Sequence, residues 1–301
     1  MVPRPTGFLL AAAAIAVSPG SAADAGASAA ERVVRVVSHE VPSDPRLQRH
    51  VRRYWTPERM TATAAEPVAA PRALRTTGSF WTSKGLVART TGKVFFSLGG
   101  RDFLCSASTV RSANRDLVVT AGHCVKAGRG AWAENWIFVP GYRDGTSPYG
   151  GFTARRMFTP DAWSQGGDGD YDVAMVAVAP SEGRHVLDVT GGQRIAFGGP
   201  DGRRTLAFGY PSSGAYDGER LAYCGGHPTG DPRRETTGQG LRCDLTRGAS
   251  GGPWLSGFDP ATGTGVVTSV SSFKFADDRG TMYGPRFGDP VRRLYQRAQH
   301  G

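Results

Sequence analysis

Hydrophobic and polar positions fall into three regimes along the chain. The first is an unbroken apolar run, Phe8–Val17, behind Arg4 and ahead of Ser21-Ala22-Ala23. The second, residues 24–91, is rich in Ala, Pro and Thr, with scattered arginines and no cysteine. One short amphipathic helix is expected there, with Asp44 as cap, Pro45 in the first turn and Leu47, Val51 and Tyr54 on one side. Arg46, Arg49, Arg52 and Arg53 fall on its other faces, and Thr61–Arg75 has the composition of a linker. In the third regime short apolar stretches alternate with turn residues. Strands are predicted over Lys93–Leu98, Phe103–Thr109, Leu117–Ala121, Trp136–Val139, Phe152–Phe158, Val173–Val178, Thr205–Gly209, Leu221–Cys224, Trp254–Leu255 and Gly265–Phe275. The 42 glycines suit tight turns and barrel corners. Asp289-Pro290 followed by Val291, Leu294 and Tyr295 predicts a C-terminal helix with Asp289 as its cap. Periodicity alone therefore describes an all-β domain with a terminal helix, without internal repeats.

The first apolar run is too short to cross a bilayer, and no later segment has the ~20 apolar residues a spanning helix needs. With its small-x-small ending it predicts a secretory signal, residues 1–23, cleaved after Ala23. Residues 24–91 are then expected to be a prosegment and linker, largely irregular, and 92–301 the mature domain. The mature form is expected to be extracellular, free of membrane and monomeric. The formal net charge of +10 favours adsorption to acidic surfaces. The arginines of 24–91 lack interleaved aromatics, so no nucleic-acid partner is expected. Four cysteines, an even number, suit an oxidising compartment and leave three pairings open. There is no Cys-x-x-Cys and no second histidine at ligand spacing, so neither a metal nor a cofactor is expected.

Three short segments carry chemistry. Gly248-Ala249-Ser250-Gly251-Gly252-Pro253 places a serine in a turn tight enough for backbone N–H groups to converge. Thr120-Ala121-Gly122-His123-Cys124 presents a histidine at the end of an apolar strand, and Asp172 opens the strand Val173–Val178. Asp168 and Asp170, close by, are expected to cap or solvate the glycine-rich loop instead. His39, His50, His185, His227 and His300 lack such surroundings and are expected to be structural or solvent-facing.

In the order His, Asp, Ser, these motifs resemble those of the trypsin/chymotrypsin superfamily of serine endopeptidases, in particular its secreted bacterial branch, which includes glutamyl endopeptidases. The resemblance runs from about Gly92 to the C-terminus and implies two packed antiparallel six-stranded β-barrels. It also implies a Ser250 nucleophile, a His123 base, an Asp172 orienter and an oxyanion hole from the Gly248 and Ser250 amides, with polypeptides as substrates. It implies a Cys105–Cys124 bridge, and with it Cys224–Cys243. Alternatives from other classes are a catalytically silent binding protein on the same fold and an esterase using the same triad. Two positions depart from the family pattern, Ala249 and Arg247, the latter beside the oxyanion turn and expected to favour acidic groups nearby or simply to face solvent. Ala249 stands where many animal members carry an acidic residue that pairs with a new N-terminus, so prosegment removal would act by unblocking the cleft or helping folding. Asp244 stands where trypsin-like members bind Lys or Arg side chains, whereas Val267, Thr268 and Val270 occupy the strand expected to wall the pocket. Basic and acidic specificity both stay open, with Arg or Lys preferred slightly.

Overall fold

The computed structural model describes residues 34–42, 44–64, 77–199 and 202–301. The expected signal segment, the start of the expected prosegment and most of the expected linker lie outside the described residues.

Contrary to the expectation of an irregular region, residues 36–64 form regular structure. β1 (Val36–Glu40) leads to α1 (Pro45–Tyr54) and α2 (Pro57–Ala64). The predicted amphipathic helix is present, and the Asp44 side chain accepts a hydrogen bond from the Arg46 amide at its start. Val51 and Tyr54 pack against the core, whereas Leu47 is 46% exposed. β2 (Ser79–Phe80) and α3 (Leu86–Thr90) follow.

The next six strands are β3 (Thr91–Leu98), β4 (Arg101–Thr109), β5 (Leu117–Thr120), β6 (Glu134–Pro140), β7 (Phe152–Pro160) and β8 (Ala174–Val178). They pair in the order β7-β6-β3-β4-β5-β8, and β8 returns to β7, closing an antiparallel barrel. β7 outruns β6: only Phe152 and Thr153 pair with it, while Arg156–Pro160 pair with β1. β1 thus covers an edge that the barrel leaves open. In β8, Ala174, Val176 and Val178 point into the barrel interior, and Met175 and Ala177 join the larger core outside it. A strand buried on both faces explains why this sequence is continuously apolar rather than alternating.

The second half begins with α4 (Val186–Thr190) and β9 (Arg194–Ile195). β10 (Thr205–Gly209), β11 (Ala222–Gly226), β12 (Thr229–Gly230), β13 (Gln239–Arg242) and β14 (Pro253–Asp259) come next. β15 (Thr264–Val270), β16 (Phe273–Phe275), β17 (Asp278–Gly284) and α5 (Asp289–Ala298) complete it. Among the described residues its strands form a six-stranded sheet, β2-β11-β10-β14-β15-β9, and a four-stranded sheet, β12-β13-β17-β16. The expected strand Gly265–Phe275 is broken at Ser271-Ser272 into β15 and β16. The terminal helix is capped by Gly288, with Asp289 in its first turn. Both expected disulfides, Cys105–Cys124 and Cys224–Cys243, are present.

A buried lysine joins the two halves. The Lys93 ammonium, on β3, is fully buried 4.1 Å over the Tyr142 ring and 3.3 Å from Glu219, in the loop before β11. Burial pulls its pKa down from 10.5 to about 8, against the attraction of Glu219. Between those values the unfolded chain binds more protons at this group, so its contribution to stability rises with pH by about 3 kcal/mol. Urea unfolding of Lys93→Met at pH 8 and pH 10 is expected to lack that increment; an unchanged pH dependence contradicts it.

Candidate active site

The site is assembled from turns at strand ends. β5 ends at Thr120, and Gly122–Cys124 forms a 3₁₀ turn that presents His123. A Cβ at Gly122 would lie 2.7 Å from the Trp163 ring, so only glycine admits this approach. The Cys105–Cys124 bridge ties the turn to β4, and the Trp136 indole donates to the Cys124 carbonyl at 3.0 Å.

Asp172 follows a second 3₁₀ turn, Gly169–Tyr171, and only Val173 separates it from the buried strand β8. One carboxylate oxygen accepts the His123 backbone N–H at 2.8 Å, and the other lies 2.7 Å from His123 Nδ1. The Ser272 hydroxyl donates to that second oxygen. Gripped at ring and backbone, His123 has one orientation and one tautomer, with the proton on Nδ1 and Nε2 left to act as base. Asp168 caps the turn, and Asp170 accepts hydrogen bonds from Thr236 and Thr237, so neither competes for the histidine. A second His–Asp contact, His185 Nδ1 to Asp116 at 2.8 Å, lies beside Arg155.

Ser250 sits between Gly248, at φ +90°, and Gly251, at φ +78°. Both conformations favour glycine. The turn is clamped by Ser106: its amide donates to the Ser250 carbonyl at 2.7 Å and its hydroxyl to the Gly248 carbonyl at 2.8 Å. The amides of Ala249, Gly251 and Gly252 donate to Thr246, Ser271 and Ala249 carbonyls respectively. Those of Gly248 and Ser250 have no hydrogen-bond partner among the described residues. His123, Gly248 and Ser250 line one cavity of about 290 Å³. No hydrogen bond joins His123 to Ser250 among the described residues; such contacts commonly tighten only when substrate is bound.

Burial opposes the charged imidazolium, but the Asp172 carboxylate outweighs it and holds the His123 pKa above its ordinary 6.5. The same pair holds Asp172 below the usual carboxylate range despite its burial.

Two solved structures resemble the chain along nearly their whole length. The protease Anisep from Arthrobacter nicotinovorans is 36% identical with a TM-score of 0.70, and the match covers 74% of this chain and 100% of that one. The thermostable serine protease AL20, from an extremophilic microorganism, is 36% identical with a TM-score of 0.68, over 71% of this chain and 99% of that one. This chain belongs to the trypsin/chymotrypsin-like serine proteases. A Glu endopeptidase, 18% identical with a TM-score of 0.59 over 74% of this chain and 97% of its own, shares the fold. No family model matches the chain. An extracellular metalloprotease of Bacillus subtilis (strain 168) is 32% identical over 73 residues, 24% of this chain and 23% of that protein. A metal does not fit the residues at this protease site. The candidate donors Cys105, His123 and Cys124 lie close together, but both sulfurs are spent in a disulfide, and one imidazole does not make a zinc site.

The serine-protease frame also shows where the specificity candidates lie. Asp244 accepts a hydrogen bond from the Gly78 amide at 2.9 Å, which ties it to the chain leading into β2, and another from the Tyr216 hydroxyl at 3.0 Å. Val267 and Val270 are fully buried in the core, and Thr268 bonds Ser256 and lines a separate cavity. None of the three lines the cavity that holds His123 and Ser250. Sequence reasoning missed Ser106 and Ser272, since nothing local separates either from neighbouring serines. With His123 as the base, the acid limb of kcat/KM is expected to titrate above pH 6.5, since Asp172 raises the pKa of the imidazole and its protonated form cannot accept a proton. A limb at or below 6.5 contradicts it.

Proposed function

We propose that the protein is a secreted serine endopeptidase that hydrolyses polypeptides through Ser250, His123 and Asp172. His123 takes the hydroxyl proton as Ser250 attacks the scissile carbonyl, and returns it to the leaving amine. The tetrahedral oxyanion is held by the Gly248 and Ser250 amides, and an acyl-enzyme follows, which water hydrolyses by the same route in reverse. The observation that carries this reading is Asp172's double hold on His123 beside the amides of Gly248 and Ser250, which have no hydrogen-bond partner among the described residues. Export is supported by the two disulfides and the residue pattern of 1–23. In this reading the expected prosegment, 24–91, is shortened to end before Thr77, because Gly78 donates to Asp244 and β2 pairs with β11.

A fluorophosphonate probe tests the assignment. Wild-type protein is expected to be labelled on Ser250, and Ser250→Ala to be blank. Labelling that survives the substitution, or its absence in folded, processed wild type, refutes the assignment and leaves the binding-protein alternative. Cleavage of a peptide library distinguishes peptidase from esterase.

A further inference from the structure

Two residues ahead of Asp172, inside the turn Gly169–Tyr171, stands Asp170, a half-buried carboxylate that the triad does not use. Its side chain does not serve its own loop. Oδ1 accepts from the Thr236 hydroxyl and from the Thr237 amide at 2.9 Å, and Oδ2 accepts from the Thr237 hydroxyl at 2.7 Å. Both threonines belong to the second half of the protein, in the loop 231–238 between β12 and β13. Burial opposes the charge on Asp170, but these hydrogen bonds outweigh it and hold the pKa below the usual carboxylate range.

The receiving loop is built to keep its donors still. Asp231, buried at its start, accepts from the amides of Arg233, Glu235 and Thr236 at 2.9, 2.9 and 3.1 Å. The Gly238 amide donates to Thr236 Oγ1 at 2.9 Å, which leaves the hydroxyl proton for Asp170. Arg286, beyond the end of β17, donates to the Thr237 carbonyl at 2.9 Å.

The same four-stranded sheet reaches Asp172 from its opposite edge. β13 pairs with β17, and β17 with β16. Ser272, directly before β16, donates its amide to the Tyr283 carbonyl of β17 at 2.9 Å and its hydroxyl to Asp172. The turn is thus gripped at two points, two residues apart, by the two sides of one sheet. A single hydroxyl on Asp172 would fix a distance and leave the carboxylate free to pivot about it. The second grip fixes its bearing.

We propose that Asp170 is a positioning residue of the triad, latching the Asp172 turn to loop 231–238 so that the Asp172 carboxylate stays aimed at His123. This rests on the endopeptidase reading and adds to it a residue that touches neither substrate nor imidazole. With the latch open, Asp172 keeps Ser272 but tilts away from Nδ1, and the hold on the productive tautomer loosens.

Two variants of the full chain open the latch from opposite sides. Asp170→Asn turns amide N–H groups toward the threonine donors, whereas Thr236→Val combined with Thr237→Val removes both hydroxyls and leaves every charge in place. In each, kcat on a peptide anilide is expected to fall about 100-fold, as for a misplacement of about 1 Å in a catalytic group, with KM within about threefold of wild type. The acid limb of kcat/KM is expected to move down toward 6.5 in both, because a carboxylate drawn away from Nδ1 no longer offsets the burial of the imidazole. All three substitutions together are expected to cost no more than either variant, since both break the same contact. A limb unmoved in both variants overturns the inference and leaves Asp170 a structural residue of the loop. A limb that moves in Asp170→Asn alone overturns it too, because the effect is then one of charge and not of position. Raised KM at unchanged kcat does the same. Failure of folded wild type to react with a fluorophosphonate at Ser250 instead overturns the protease reading beneath it.

Discussion

Asp172→Asn is expected to lower kcat about 10⁴-fold while the protein stays folded. The carboxylate accepts from the His123 amide, faces Nδ1 and receives the Ser272 hydroxyl, three interactions that suit an anion. An amide group in its place sets N–H against Nδ1 for one of its two orientations. The imidazole then moves its proton to Nε2, where it cannot act as base. The pH profile changes with the rate: without the carboxylate only burial acts on His123, so its pKa falls below 6.5 instead of lying above it. Single losses of Ser250 or His123 are expected to be larger still, and the double variant no worse than either, because the groups act as a unit. Single-turnover kinetics on a peptide anilide measure this. A loss under tenfold in Asp172→Asn, or additive losses in the Ser250 and His123 pair, contradicts the proposed triad.

Gly251→Ala is expected to destabilise the fold by about 3 kcal/mol or more and to remove activity at the same time. A Cβ there would lie 2.1 Å from Thr120 Oγ1, 2.4 Å from the Ser106 carbonyl oxygen and 2.7 Å from the Ala121 amide. Two of these are backbone atoms and the third is a hydroxyl held on the Ser106 carbonyl at 2.8 Å, so none can swing aside. Positive φ adds strain for any side chain. Relief requires separating the nucleophile turn from the end of β5, and with it Ser250 from His123. Urea denaturation monitored by tryptophan fluorescence reads the stability; a midpoint equal to wild type shows that the turn has space the structure does not.

Legibility in the sequence tracked how local each cause is. The strands of the first barrel were visible because their apolar runs are bounded by turn residues, and the 45–54 helix because cap, proline and periodicity sit within ten residues. His123, Asp172 and Ser250 were visible because each is the odd polar residue at the end of an apolar strand or in a glycine turn. The interior of 36–64 was not. Trp55 and Met60 stand among arginines and prolines, and what makes them core residues is β6 and Asn135, far along the chain. β13 and β17 escaped notice for a similar reason: Gln239–Arg242 and Asp278–Gly284 are polar and glycine-rich, and their pairing with each other makes them strands.

By itself the sequence determined the strands of the first barrel, the 45–54 helix and the order of the three candidate groups, because backbone propensity, capping and turn geometry act over a few residues. Tertiary structure alone decided that Ser272 bonds Asp172, that Ser106 clamps the nucleophile turn, and that Asp244 is tied to Gly78. It also decided that Val267 and Val270 face the core. A hydrogen bond or a packed face between residues a hundred positions apart has no local signature. Closure of the barrel and the break in the strand after Val270 set which side chains meet.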